Sequence, residues 1–253
     1  MNLSKNKIKL IRSLEQRKFR RETGLFVAEG NKLVTDNLTS MRCETLIATP
    51  QWLTAHPEAK APEIIEASRE ELGKVSFLKT PQEVVGVFRR PSYELRPEAL
   101  RGKLTLVLDT VQDPGNLGTI IRLADWFGIE DIVCSAETAD CFAPKTVQAT
   151  MGAIARVRVH YTDLAAFLSA MEGMPVYGTF LEGDNLYETP LTAEGLIVMG
   201  NEGRGISDAL RPLITREVHI PSFPPERTTS ESLNVAIATA IICAEFRRIG
   251  AKN

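Results

Sequence analysis

No stretch of the 253-residue chain stays apolar for the about 18 residues that a membrane span needs, and its basic N-terminus lacks the apolar core of a signal peptide. Both absences point to a cytoplasmic protein. Cysteine is scarce: Cys43, Cys134, Cys141 and Cys243 form no Cys-x-x-Cys pair, which argues against a zinc or disulfide framework and for reduced thiols in or near the core. His56, His160 and His219 are equally dispersed, so neither a metal site nor a Ser-His-Asp arrangement is in view. Also missing are a G-x-G-x-x-G dinucleotide fingerprint and a G-K-[ST] phosphate loop, which removes the common nucleotide-dependent classes. No internal repeat or low-complexity segment is visible.

What is present begins with an asymmetry of charge. The net charge is only −2, yet residues 1–21 carry eight Lys or Arg against one acid, Glu15, so the remainder is net acidic. Ile8, Leu10, Ile11, Leu14 and Phe19 interleave with these cations. Such an arm is either a solvated helix face or a nucleic-acid contact made through Lys7, Arg12, Arg17, Lys18, Arg20 and Arg21. Its apolar face is short for a membrane-surface helix.

Two halves follow, with a boundary near residue 100. In residues 24–90, "GLFVAEG", "CETLIAT", "PEIIEAS" and "EVVGVF" read as strands, with helices over Asn31 to Leu38 and in "REELGKV". The proline-containing "RRPSYELRPEALRGK" reads as a linker or surface helix. Beyond it, "LTLVLD", "DIVCS", "ARVRVHY", "PVYGTF", "GLIVMG" and "REVHIP" alternate with helical stretches. Several of these runs are continuously apolar, as strands covered on both faces are, so the second half is an α/β domain with a mostly parallel sheet. The last helix, "SLNVAIATAIICAEFRR", is apolar nearly all round and requires burial on more than one side, for which a second subunit is a candidate cover.

Three stretches of the second half concentrate polar groups beside glycines. "DPGNLGTIIRLADWFG" (113–128) sets a glycine turn before a helix with apolar face Leu117, Ile120, Ile121, Ala124 and Phe127; Asn116 is placed to cap it, and Arg122 projects from the opposite side. "VMGNEGRGIS" (198–207) puts Asn201 and Glu202 inside a glycine cluster, either a tight turn or a close approach to a ligand. In "HIPSFPPERTTSESLNVAIA" (219–238), a proline-rich loop leads to Ser232 and Asn234 at a helix start, where capping would explain one of them.

Taken together and in order, "NLGTIIRLAD", "VMGNEGRGIS" and "IP…ESLNVAIA", with the intervening "VQATMGAI", resemble the motifs of the SpoU family of RNA ribose 2′-O-methyltransferases, also called the TrmH family. The likeness covers residues 104–247. Residues 1–92 resemble the small α/β RNA-binding domain often fused ahead of it, through "RKFRRETGLFVAEGNKLV", with 93–103 as linker and 104–253 as the methyltransferase domain. The resemblance implies a SPOUT-type sheet with a C-terminal trefoil knot and an RNA substrate, ribosomal or transfer, while the homodimer rests on the apolar last helix. It also implies S-adenosylmethionine held by Thr179, Leu181, Gly183, Gly200, Ile220 and Leu233, with no metal. Catalytic roles fall to Arg122, Asn116, Glu202, Ser232 and Asn234. Arg122 matches the family's central residue; a guanidinium is a poor base, so stabilisation of a developing alkoxide is the preferred role. The chain departs from the family in a longer loop over 222–231, which borders the active site and bears on substrate choice, and in Ala236, where a second serine is common. A base-modifying knotted methyltransferase and a catalytically silent RNA-binding or assembly factor are the alternatives.

Overall fold

The computed structural model describes residues 3–224 and 232–250. The chain divides into two units, Met1–Ser92 with Asp140–Arg156, and Tyr93–Ala139 with Val157–Asn253.

In the first unit the basic arm folds as two helices, α1 (Lys5–Ser13), capped by Ser4, and α2 (Arg17–Thr23). They lead into β1 (Leu25–Glu29), α3 (Asn31–Leu38) and β2 (Cys43–Ala48). The short helix α4 (Pro50–Ala55) was not legible in the sequence; Thr49 caps it and Pro50 opens it, the arrangement that favours a helix start. β3 (Glu63–Glu66), α5 (Arg69–Gly73) and β4 (Val84–Arg89) complete a four-stranded sheet of order β1-β4-β2-β3. Strand alternation sorts its side chains. Val27, Ile47, Ile65, Val85 and Val87 pack with Ile11 and Leu14, the apolar residues interleaved with the arm's charges. Phe26 and Phe88 stack with ring centroids 5.7 Å apart, and Phe142 meets Phe26 at 4.8 Å.

The segment read as a linker or surface helix forms only one 3₁₀ turn, Pro97–Leu100. Leu100 is buried in the second unit's core, and the two prolines limit any longer helix. The second unit begins with β5 (Leu104–Leu108), α6 (Pro114–Trp126) and β6 (Asp131–Cys134). Residues 140–156, which hold α7 (Pro144–Thr150), group with the first unit rather than with the strands that flank them in sequence. β7 (Arg158–Tyr161), α8 (Leu164–Ala170), β8 (Val176–Asn185), β9 (Gly195–Met199), β10 (Arg216–His219) and α9 (Val235–Gly250) follow. The sheet order is β10-β8-β9-β5-β6-β7 and every pairing in it is parallel. Val107, Val133, Val176 and Val198 pack against Leu164, Phe167 and Leu168 of α8, while Tyr177 meets Phe246 of α9 edge-on. The apolar strand runs are therefore covered on both faces, as parallel strands require.

One polar cluster is built into this sheet. Asp131 of β6 sits opposite Arg158 of β7 and accepts from its Nε at 2.7 Å and Nη2 at 2.6 Å, and His160 Nε2 lies 3.0 Å from the same carboxylate. Burial pushes the Asp131 carboxyl up, but the hydrogen bonds and charges of His160 and Arg158 outweigh it and hold it well below the usual carboxylate range. A depressed native value means that the stabilisation is present above the unfolded value of 3.8 and is lost as pH falls through the native one. Asp131→Asn should cost about 1.5–3 kcal/mol at neutral pH, the range for a hydrogen bond to a charged group. The deficit should shrink on acidification in urea unfolding series; a pH-independent deficit would show that the charge is not involved.

Candidate active site

The sheet gathers the polar stretches at one edge. The chain runs from β5 outward to β7, crosses back, and lays β9 on the other side of β5, so the carboxyl ends of β5 and β9 flank the point where strand order reverses. Ligands of open parallel sheets bind outside such ends. α6 follows β5, the 200–207 loop follows β9, and α9 follows β10.

The start of α6 differs from the sequence expectation in one respect. Its N-cap is Asp113, whose carboxylate accepts from Asn116 N at 2.8 Å, and Pro114 takes the first turn. Asn116 is thereby released from capping, and its side chain turns to other partners. Its Nδ2 donates to Glu202 Oε1 at 2.9 Å, and its Oδ1 accepts from Asn234 Nδ2 at 2.9 Å. Asn234 Oδ1 in turn accepts from Ala236 N at 3.0 Å and Ile237 N at 3.3 Å, which makes Asn234 the residue that caps α9. A carboxylate accepts only, so it fixes which end of the Asn116 amide faces it, and that choice leaves the amide oxygen for Asn234. Three segments far apart in sequence thus meet in one row, Glu202–Asn116–Asn234.

The 200–207 loop is a tight turn that also presents a side chain. Asn201 Oδ1 accepts from Gly203 N at 3.0 Å and Arg204 N at 3.1 Å, and Asn201 and Gly205 exchange backbone hydrogen bonds of 2.9 Å. A Cβ on Gly200 would fall on the backbone of Gly205 and Ile206, so glycine is required there for the loop to close on itself. Glu202, exposed on the turn, is the group carried outward.

The residues expected to hold a cofactor lie at this same sheet edge. β8 pairs with β10 through Tyr177 and Gly178 and again through Asp184 and Asn185, so residues 179–183 leave the ladder. Thr179 Oγ1 donates to Val198 O at 3.1 Å, Leu181 is 71% exposed, and the Cβ position of Gly183 lies 2.9 Å from Glu217 O. Ile220 is half-buried after β10, and Leu233 is exposed just before α9. Residues 225–231 of the longer loop lie outside the described residues.

Arg122 does not join the row. It stands exposed on α6, four residues before the exposed Trp126, and makes no hydrogen bond or ion pair with the described residues. Ser232 is exposed two residues before Asn234. The basic arm of the first unit divides more sharply. Arg20 is buried, with Nη2 2.7 Å from Asp140 Oδ2 and Nη1 donating to Leu14 O and Glu15 O. This corrects its reading as an RNA contact: its donors serve the interior of the unit. Lys7 pairs with Glu63, and Arg12 donates to Ser76 O while lying over the Phe77 ring. Lys18 and Arg21 stand outward, and Arg17 is half-buried. No sequence signal could have singled out Arg20, because its partner lies 120 positions away. Asp113, by contrast, was open to discovery: Asp before Pro before an apolar-periodic run is a helix-start pattern.

Asn116→Asp would set two carboxylates at hydrogen-bond distance. One of that pair should then hold its proton well above the ordinary value of about 4 for a carboxyl group, as read by carboxyl-carbon NMR titration. A raised native value favours the fold below the unfolded value only, so the variant's deficit against wild type should grow as pH rises. Two unshifted titrations would mean that the side chains do not meet.

Comparison with known proteins gives the family. Residues 103–244 match the SpoU rRNA Methylase family, and residues 5–86 match an MRM3-like substrate binding domain. The chain is 31% identical over 251 residues to the 23S rRNA (guanosine(2553)-2′-O)-methyltransferase RlmP of Bacillus subtilis, spanning 95% of this chain and 96% of that protein. Among solved structures it is similar to a protein assigned to the TrmH family of RNA methyltransferases from Porphyromonas gingivalis, with TM-score 0.90 and 42% identity over 98% of this chain and 100% of that one. It is similar also to the AdoMet-bound rRNA methyltransferase from Sinorhizobium meliloti, with TM-score 0.85 and 33% identity over 98% and 97%. The chain belongs to the SpoU rRNA methylase family, with a substrate-binding domain of the MRM3-like type ahead of the methylase domain.

Proposed function

We propose that this chain transfers a methyl group from S-adenosylmethionine to a ribose 2′-hydroxyl of ribosomal RNA. The observation that carries the reading is the row Glu202–Asn116–Asn234, an accessible carboxylate and two amides held in fixed order at the carboxyl edge of the sheet. The activity printed for RlmP, methylation of a guanosine 2′-oxygen in 23S rRNA, supports it. The full set of motif residues favours ribose over base methylation and argues against a silent assembly factor.

The cofactor, when bound, supplies a methyl group activated by a sulfonium. Thr179, Leu181, Gly183, Gly200, Ile220 and Leu233 would hold it. The fit is favourable: Leu181 and Leu233 offer exposed apolar surface, and the excursion of residues 179–183 from the ladder leaves backbone groups open to a ligand. Glu202, Asn116, Ser232 and Asn234 orient the acceptor ribose, which supplies much of the rate by alignment. Arg122, with its donors uncommitted among the described residues, holds a phosphate and stabilises the oxygen as its proton passes to water. Lys18, Arg21 and Arg17 of α2 contact the RNA backbone, together with Lys7 and Arg12 of α1. In this reading residues 1–92 bind substrate, 93–103 link, and 104–253 catalyse in the cytoplasm, with the C-terminal segment threaded as in the family's trefoil knot. The working form is a homodimer, supported by a stripe on α9: Ile237, 53% exposed, continues through the partly covered Ala240 and Ile241 to the exposed Ala244.

Mapping ribose methylation in ribosomal RNA with and without the gene tests the reading: one 2′-O-methyl position should vanish on deletion. A lost base methyl group would favour the base-modifying alternative, and no lost methyl group the silent one. Arg122→Ala should change stability by no more than about 0.5 kcal/mol, as exposed sites do, while lowering single-turnover methyl transfer roughly 10²–10³-fold. Arg122→Lys should restore little, because a point charge does not reproduce the planar fork. Near wild-type transfer by the alanine variant would make Arg122 a plain surface residue.

The dimer has its own check. Ala240→Glu should convert a stable wild-type dimer to monomer in light scattering at micromolar concentration. A monomeric wild type would refute the assembly.

A further inference from the structure

We propose that Asp109 and Thr110, at the carboxyl end of β5, are the positioning residues that hold Glu202 against Asn116, and so set the acceptor-ribose site. The inference rests on the function proposed above and concerns two residues outside the three sequence motifs.

Both ends of the 200–207 loop are tied to this pair. Ser207 N donates to Asp109 Oδ2 at 2.7 Å, and Asn201 Nδ2 donates to Thr110 O at 2.8 Å. Asp109 N donates to Met199 O at 2.9 Å, which continues the β5–β9 pairing to the first residue of the clamp. The Asp109 carboxylate is buried, and its second oxygen accepts from Thr110 Oγ1 at 3.0 Å. No basic side chain among the described residues pairs with it, so its burial is met by these two donors alone.

Thr110 is the sharper signal. Its φ of 59° lies in the left-handed region, where a β-branched residue is strained. Such strain persists only where the surroundings over-determine it. Here Thr110 N donates to Ser135 Oγ at 3.0 Å, and Ser135 Oγ lies 3.2 Å from Thr138 Oγ1, so the turn is held from the β6 side as well. The turn presents the Thr110 carbonyl to Asn201 and sends the chain through Val111 to the Asp113 cap three residues on. Asn116 therefore hangs from the clamp by chain continuity and Glu202 by two hydrogen bonds. Both partners of the Asn116–Glu202 contact are placed from the same two residues.

A clamp of this kind acts through Glu202, and that is what the experiment reads. Asp109→Ala in the full chain should lower saturating single-turnover methyl transfer to in vitro transcribed ribosomal RNA by about 10²-fold, the effect of a small misplacement of reacting groups. Calorimetric affinity for S-adenosylmethionine should stay within a few fold. Asp109→Asn should recover most of the rate, since a carboxamide can accept from Ser207 N and donate to Thr110 Oγ1. On a Glu202→Ala background, Asp109→Ala should cost little more, because residues that act as a unit are not additive. Additive losses, or an unchanged rate per folded molecule, would overturn the proposal. Should Asp109→Ala not fold, Asn201→Ala, which removes the Thr110 tether, takes its place in the cycle with the same criteria. Amide exchange at Gly203 and Arg204 reads the loop without substrate. If wild type leaves ribosomal RNA unmethylated while Asp109→Ala still accelerates that exchange, the methylation reading fails and the clamp stands. Unaccelerated exchange fails the clamp alone.

Discussion

The pairing of β5 with β9 is the constraint on which the site depends. Leu104 to Leu108 run beside Gly195 to Met199 in unbroken parallel register. That register sets Asp109 and Thr110 beside the beginning of the 200–207 loop, and everything polar at the sheet edge follows from it. A slip of one residue would exchange the side chains that β9 sends to its two covered faces. It would also remove Asn201 from Thr110 and Glu202 from Asn116. Close packing of these side chains against the helices on both faces holds the register, so the packing that stabilises the core also aligns the site.

The first unit shows the same economy applied to charge. A run of eight cations invites a single reading as a nucleic-acid surface, yet the fold distributes them among different tasks. Arg20 is buried against Asp140 and two carbonyls, Lys7 closes against Glu63 and Thr45, and Arg12 spans Ser76 O and the Phe77 ring. Burying a guanidinium is unfavourable unless its donors are met, and for Arg20 the structure meets them. Lys18 and Arg21 are left outward. The charge seen by a polyanion is therefore smaller and more localised than composition suggests, and Ile11 and Leu14 between the cations are core rather than contact surface.

Asn116 illustrates how local and tertiary rules divide the work. From its neighbours alone it is a helix cap. In the fold, Asp113 performs that task one turn earlier, and the Asn116 amide becomes the junction between a loop 86 positions away and a helix 118 positions away. Asn234 does both jobs, since its oxygen caps α9 while its nitrogen reaches Asn116. Capping residues are thus reused as site residues where a helix start faces the carboxyl edge of the sheet.

The sequence by itself determined the elements and their class. Apolar runs gave the ten strands of the described residues near their observed positions, the continuity of several of those runs gave the parallel sheet, and the three ordered motifs gave the family, because each of these signals is local and periodic. It also marked Asn116, Arg122, Glu202 and Asn234, though not which of them touch. Only the tertiary structure decided that residues 140–156 pack with the first unit, that Arg20 is interior, that Arg122 stands apart from the hydrogen-bonded row, and that Asp109 and Thr110 underlie it. The physical reason is the same in each case. Burial, an ion pair or a side-chain hydrogen bond belongs to two residues at once, and where those lie a hundred positions apart no window of sequence contains them both.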